Sequence, residues 1–463
     1  MTEQLKLKLN DSKATRWGAL VIVAFTMMAA YYVNDVVAPL KTMLETDLAW
    51  SSTDFGFFTG GYSFLNVFFL MLIWGGLILD RFGIRFTGKL ATILMVGGTA
   101  LEYYAMTGLA GADATLFGIN EIFGYKTGVF VAFAGYSIFG VGAEVAGITV
   151  SKIIAKWFKG KELATAMGVQ VALARIGSQA GYAVAIPLAR AFGISTPVLL
   201  GLVLLLGGMI AFFIFAVMDK KLDKQMEAAA IAAGTEDEEE KFSFKDVKNI
   251  LVNPGFWLIA LLCVLFYSCV FPFQKFASEL MIIKYGINEN VAGTFAGLPA
   301  LGALILTPVF GGFIDKRGKS ASIMLLGSAM LICVHFIYAI PDINYWLVAI
   351  VLMIILGIAF SLVPSAMWPA VAKIFPVSQL GTAYALIFFI QNIGLWGIPT
   401  LIGWVLDTYC ISGKKPDGTN MYDYTVPMCI FTGIACLSLI VALLLKKADK
   451  KYGYKLEEPN IQK

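Results

Sequence analysis

The sequence is short of charge. Only 14% of its 463 residues are Asp, Glu, Lys or Arg, while 59% are apolar and the mean hydropathy is +0.78. A soluble chain carries nearer a quarter charged residues, so this one cannot cover a soluble surface. It is also short of histidine. The single one, His335, excludes HExxH zinc sites and any centre built on several imidazoles. Six cysteines all fall in the second half, at Cys263, Cys269, Cys333, Cys410, Cys429 and Cys436, and no CxxC occurs. That spacing argues against zinc ribbons and thioredoxin-type chemistry. Cys410 and Cys429 flank one outer loop, where a bridge or two free thiols both remain open. The net charge of +4 selects no polyanionic partner, and no basic face interleaved with aromatics marks a nucleic-acid surface. No nucleophile stands with a base, so nothing points to an enzyme, and nothing calls for a cofactor or a metal.

What the chain has is long apolar runs. A spanning helix needs about 20 apolar residues, and runs of that length begin near Trp17, Ser52, Phe86, Gly128, Leu163 and Ser195. They resume near Asn253, Asn290, Ser320, Tyr345, Leu380 and Tyr424. The pattern predicts an all-α membrane protein with twelve transmembrane helices in two six-helix bundles. The expected divisions are an N-terminal arm (1–16), a first bundle (17–218), a charged linker (219–252), a second bundle (253–446) and a basic tail (447–463). No signal-peptide core precedes Trp17, so the first run reads as a span. Between the third and fourth spans, LAGADATLFGINEIFGYKT reads as an outer loop with a short hairpin or helix. The linker carries an acidic block, Glu236 to Glu240, which is either solvated spacer or a docking site.

Basic residues in short loops orient the chain. Arg81, Arg85, Lys89, Lys152, Lys156, Lys159, Lys161, Lys316, Arg317, Lys319 and Lys373 fall on one side, with both termini and the linker. Lys41, Lys126, Arg190, Lys284, Lys414 and Lys415 fall on the other, mixed with acids. The first side is therefore cytoplasmic.

The halves echo each other. GGLILDRFGIR, Gly75 to Arg85, follows the second span, and GGFIDKRGK, Gly311 to Lys319, follows the eighth; Asp80 and Asp315 are 235 residues apart. A repeat at half the chain length on one side of the membrane implies a duplicated six-helix unit. Gly76, Asp80, Arg81, Gly83 and Arg85 match the G-x-x-x-D-R-x-G-x-R inner-loop pattern, and the chain thereby resembles the major facilitator superfamily. The resemblance implies two bundles rocking about a central cavity. Asp80, Arg81 and Arg85 are expected to pair across the inner seam as a gate; the alternative is a topology signal of basic residues alone.

Ionisable residues inside spans are expensive and point to function. Glu144 in the fourth span and Arg175 in the fifth each lie about 20 Å in from the WFKGKE turn, at 1.5 Å per residue. Opposite charges at matched depth on consecutive antiparallel helices are expected to meet, as an inert ion pair or as a substrate site. Arg175 offers a planar fork for a carboxylate, and Glu144 accepts from an ammonium group. The ends of a dipeptide are roughly 6 Å apart, so such a pair suits a small zwitterion. Asp35 and Lys275, in the equivalent first spans of the two halves, can close the outer mouth or pair separately. Glu102 and His335 occupy spans that usually face lipid or a neighbour, so packing is expected of both. Gln391 and Asn392 either bond a peptide amide or join helices. Trp368 and Tyr384 either wall the cavity or pack.

The stretch GVGAEVAGITVSKIIAKWFKGKELATAMGVQVALARIGS is similar to the lysosomal dipeptide transporter branch of the superfamily, which carries an acid in the fourth span, W-F-K-G-K-E-L and A-R-I-G-S. YYVNDVVAPL, SLVPSAMWPAVA and QLGTAYALIFFIQNIG extend the likeness. The resemblance implies that Glu144 and Arg175 hold the amino and carboxyl ends of dipeptides, with uniport and an accessory glycoprotein partner; because the sequence departs from the animal branch, no obligatory protein partner is expected here, and no cofactor. The only Asn-x-Ser/Thr sequon, at Asn10, is on the inner side, and the N-terminal arm lacks an acidic dileucine. With Phe-rich and Gly-rich spans, these features suit a bacterial inner membrane, the lysosomal membrane being the alternative. Competing functions are a proton-coupled organic-anion or sugar-acid carrier and a membrane sensor without transport.

Overall fold

A computed structural model of the chain describes residues 8–111, 114–158, 161–233 and 244–459. The first half is built from α1 (Lys13–Val36), α2 (Lys41–Asp47), α3 (Ser52–Phe68), α4 (Met71–Thr107), α5 (Thr127–Trp157), α6 (Leu163–Phe192) and α7 (Thr196–Ala233). A hairpin of β1 (Glu121–Ile122) and β2 (Tyr125–Lys126) precedes α5. A short helix, α8 (Phe244–Val252), leads to the second half. This consists of α9 (Pro254–Tyr285), α10 (Glu289–Ala296), α11 (Leu298–Arg317), α12 (Ser320–Ala339), α13 (Trp346–Ile374), α14 (Val377–Tyr409) and α15 (Thr425–Tyr452). A second hairpin, β3 (Ile411–Lys414) with β4 (Asn420–Tyr422), joins the last two helices.

By length and apolarity alone, nine helices among the described residues could cross a membrane, ten counting α3 and α4 as one bent span. That pair is two spans. At Gly83 (φ 73°, ψ 174°) the backbone leaves the helical region, a conformation glycine adopts without a Cβ clash. On either side of it the chain meets the same level of α5, since Gly75 abuts Val145 and Gly142 abuts the Ala91 carbonyl. The chain therefore reverses at Gly83. With α6, the 30-residue helix that carries Arg175, the count becomes twelve.

In the first half α5 packs on α4 and α3, and α1 on α6 and α7. In the second, α12 packs on α15 and α13, and α9 on α14 and α15. The halves touch where α3 meets α14 and α6 meets α10 and α11. The α3–α14 approach is close enough that a Cβ at Gly56 would stand 2.4 Å from the Pro399 carbonyl oxygen.

Both described ends of the chain sit at the face that bears the basic loops. Arg16 holds Glu162 at 2.7 Å, and Lys161 holds Asp11 at 2.8 Å, tying the N-terminal arm to the α5–α6 turn. The tail folds back on α12, where Ser320 N donates to the Leu456 carbonyl at 3.0 Å and Glu457 accepts from Ser322. Positive loop charge makes this face cytoplasmic.

Two sequence boundaries shift. A solvated linker from residue 219 is corrected by α7, which continues to Ala233. Asp219 is fully buried and accepts from Lys156 at 2.7 Å and Trp157 Nε1 at 2.9 Å, so its charge anchors the helix to α5. The tail boundary likewise falls inside α15. The acidic block Glu236 to Glu240 lies outside the described residues. All six cysteines are free, which settles the Cys410 and Cys429 alternatives in favour of thiols.

Candidate substrate cavity and its seams

A cavity of about 1340 Å³ lies between the halves. Its polar groups come mostly from the first half: Glu144, Arg175, Tyr62 and Asn34 line it. Glycines 140 and 142 let α5 press against α3 and α4, which turns Glu144 toward the opening. Tyr62 Oη donates to Glu144 Oε1 at 3.0 Å. On α6, Gly177 packs against the backbone of Met28 on α1, and this places Arg175 beside Tyr31. The guanidinium carbon is 5.5 Å from the Tyr31 ring centre and 4.9 Å from that of Phe360 on α13. Cation–π contacts of this kind orient a guanidinium without neutralising it.

The expected meeting of Glu144 and Arg175 does not occur: no ion pair joins them among the described residues. The reason is packing. Consecutive in sequence, α5 and α6 are not close neighbours; α5 sits on α3 and α4, and α6 on α1. The two charges face the same cavity from separate walls.

Of the remaining sequence candidates, Gln391, Trp368 and Tyr384 line the cavity. Gln391 Oε1 accepts from the Cys263 thiol at 3.4 Å, and Tyr384 Oη donates to the Trp368 carbonyl at 3.0 Å. Asn392 is a correction. One residue further round α14, it is buried away from the cavity wall and its amide donates to the Phe388 carbonyl at 2.9 Å. His335 is buried 3.0 Å from the Cys269 carbonyl and stacks on Phe431, a packing position. Glu102 is fully buried rather than facing lipid, and neither carboxylate oxygen meets a hydrogen-bond partner among the described residues.

At the outer end the seam is closed. Lys275 Nζ on α9 donates to the Asn34 carbonyl at 2.6 Å and to Asp35 Oδ1 at 3.2 Å, both on α1; Ser178 donates to Asp35 Oδ2 at 2.6 Å. Further out lies a second cluster that the sequence reading missed. Lys41 Nζ on α2 sits 2.5 Å from Glu45 and 2.5 Å from Glu279 of α9, with all three side chains buried. Lys415, in the second hairpin, stands 3.8 and 3.9 Å from the same two carboxylates, and Tyr424 donates to Glu279. Asp407 of α14 accepts from Thr53 N at 2.6 Å and from Tyr422 Oη at 2.7 Å. Arg190 pairs with Glu289 nearby. The sequence did carry a signal: Glu279 lies four residues after Lys275 in an apolar helix, hence on the same face.

The inner end differs. The cavity reaches Gly76, Asp80 and Ser151, and the Asp80 side chain is 68% exposed. Asp80 and Arg85 do not pair across the seam in this state. Asp80 takes Lys152 at 3.0 Å; Arg85 takes Asp223 at 2.5 Å and Asp219 at 3.6 Å. All of these partners belong to the first half, because the open cavity separates the halves at this depth. Arg81 lies over the neighbouring Phe82 ring.

The profile described as Major Facilitator Superfamily matches residues 20–397 and 274–458. The chain is 29% identical to the human protein named lysosomal dipeptide transporter MFSD1, over 85% of this chain and 81% of that one. It is 26% identical to the Danio rerio protein of the same name, over 93% and 86%. Among solved structures, the nucleoside transporter NupG superposes with a TM-score of 0.68 at 12% identity, covering 92% of this chain and 98% of that one. The peptide transporter POT in complex with sulfate superposes at 0.66 and 14%, covering 95% of each. Profile, relatives and fold agree: the chain belongs to the major facilitator superfamily and is a multi-pass membrane transporter, not an enzyme.

Proposed function

We propose that the protein moves dipeptides by alternating access, with Glu144 binding the peptide's ammonium group and Arg175 its carboxylate. The observation that carries this reading is that the two charges face one cavity and are not joined to each other. An acid and a base set at membrane depth and left apart have no opposite charge beside them, and a zwitterion spanning the gap supplies one to each. The printed names of the curated relatives support the same substrate class. Gln391 offers an amide to the peptide bond, while Trp368 and Tyr384 wall the site. Asp35 with Lys275 gates the outer mouth, and Asp80, Arg81 and Arg85 gate the inner one in the opposite state.

Transport is uniport: a zwitterion brings no net charge and the clamp needs no proton to release it. Binding to the purified protein tests the clamp. A free dipeptide is expected to raise the melting temperature, while its N-acetylated and C-amidated forms are not. Equal shifts from the capped forms would remove the clamp, and an equal shift from an organic acid without an amine would favour an anion carrier. In liposomes, lumenal acidification dependent on a neutral dipeptide and abolished in Glu144→Gln would overturn uniport.

A further inference from the structure

Gly140 lies one turn before Glu144 on the same face of α5. A Cβ at that position would collide with the Tyr62 carbonyl oxygen of α3, so the glycine lets the two helices seat directly on each other. The seating brings the Tyr62 phenol to the carboxylate. Its Oη donates to Glu144 Oε1 at 3.0 Å, and among the described residues no other side chain bonds that carboxylate. The Tyr62 ring lies against those of Tyr136 and Phe139 on α5, with centres 5.7 and 6.2 Å away. The other charged groups on the cavity are engaged elsewhere. Arg175 of α6 lies over the rings of Tyr31 and Phe360, Lys275 of α9 bonds Asn34 and Asp35, and Asp80 of α4 takes Lys152. The remaining phenols facing the cavity belong to Tyr31, Tyr136, Tyr267 and Tyr384.

We propose that Tyr62 is a positioning residue that fixes Glu144 as a carboxylate, so that the empty carrier holds no proton there and a dipeptide binds without displacing one. This rests on the clamp reading. A donated hydrogen bond favours the ionised form of a carboxyl group, and apolar surroundings favour the neutral one. Met27, Ala143 and Gly147 line the cavity beside Glu144, so the phenol supplies a donor that these neighbours lack. A free phenol titrates near 10 and keeps its own proton at neutral pH. Held through Oε1, the carboxylate presents Oε2 to the peptide's ammonium group. With the hydroxyl removed, Glu144 takes a proton from the cavity water when the peptide leaves and gives it back to water when an ammonium group arrives. The loaded carrier then crosses without that proton and the empty carrier with it, which turns uniport into exchange of a dipeptide for a proton. One hydroxyl separates the two modes of transport.

Calorimetry of a neutral dipeptide on the full-length protein, in two buffers of different ionisation enthalpy, counts the protons released on binding. The range from about pH 7 to about pH 5.5 lies below the titration of the peptide's own amine. Wild type should release no proton and keep its affinity within about twofold across that range. Tyr62→Phe should release up to one proton and lose affinity as pH falls, by as much as about tenfold per unit. The double variant Tyr62→Phe with Glu144→Gln should release none. A tyrosine that only packs would weaken binding equally at every pH with no proton released, and that result would overturn the proposal. Proton release from wild type, or release that survives in the double variant, would do the same. Infrared difference spectra of the empty protein read the point without a peptide. Tyr62→Phe should show a protonated-carboxyl band that the double variant lacks, and its absence would sink the role of Tyr62 with the clamp intact. The clamp fails separately, if capped dipeptides bind wild type as well as the free one.

Discussion

The outer and inner seams of this protein are built from the same kinds of residue and do opposite things. At the outer end, charges pair between halves: Lys275 with Asp35, Lys41 with Glu279, Arg190 with Glu289. At the inner end, Asp80, Arg85 and Lys156 find partners within the first half. The difference identifies the state as closed outside and open inside. It also shows that a motif residue need not cross the seam in every state. The pairs at the two ends also differ in burial. Lys41 and Glu279 are 1% and 0% exposed, so neither can be rehydrated cheaply if its partner leaves, whereas Asp80 is already in water.

The largest effect is therefore expected at the outer cluster. Glu279→Ala strands Lys41 beside one remaining carboxylate, and loss of one member of a buried pair costs about 3–5 kcal/mol. Spin labels across the outer mouth should show a population in which it is open. A double variant, Lys41→Met with Glu279→Leu, should regain much of the closed population. A closed outer mouth in Glu279→Ala would break the contrast between the seams. Asp35→Asn should act in the same direction but less, by roughly 1–3 kcal/mol, because Ser178 and Asn34 still serve the side chain. Asp80→Asn removes an exposed pair worth under about 1 kcal/mol in this state. Its effect is expected on turnover, when the inner end closes, with dipeptide affinity unchanged. A large loss of affinity would assign Asp80 to the binding site.

The smallest effect concerns the arm at the inner face. Hydrogen bonding to Lys161 holds the Asp11 carboxyl below its ordinary value of 3.8, and Arg16 holds that of Glu162 below 4.5. A carboxyl depressed in the folded state stabilises it above the unfolded value and loses that contribution as pH falls through the folded one. The melting temperature of wild type should exceed that of Glu162→Gln slightly at pH 7, and the gap should close below about pH 4. A gap that persists at pH 3 would mean the glutamate acts through packing.

The spans, their sidedness and the duplicated half were legible because hydropathy and loop charge are local properties. So were Glu144 and Arg175, since a charge in an apolar run stands out whatever surrounds it. Who meets whom was not legible. Glu144 and Arg175 were expected to touch because their helices are consecutive, but helices pack by shape, and the glycines of α5 send it to α3 and α4 instead. Gln391 and Asn392 are adjacent in sequence, yet only the first faces the cavity; helical phase within α14 decided that. Lys41 and Lys415 read as ordinary loop charges, and only the fold shows them gathered with Glu45.

The central claim is that two separate groups read the two ends of one peptide. Affinities of a free, an N-acetylated and a C-amidated dipeptide, measured for wild type, Glu144→Gln and Arg175→Leu, test it most directly. The account predicts a crossed pattern. Glu144→Gln should narrow the gap between free and acetylated peptide and leave the gap for the amide, and Arg175→Leu should do the reverse. If each variant narrowed both gaps alike, or neither changed them, the two residues would not be reading separate ends and the clamp would be wrong.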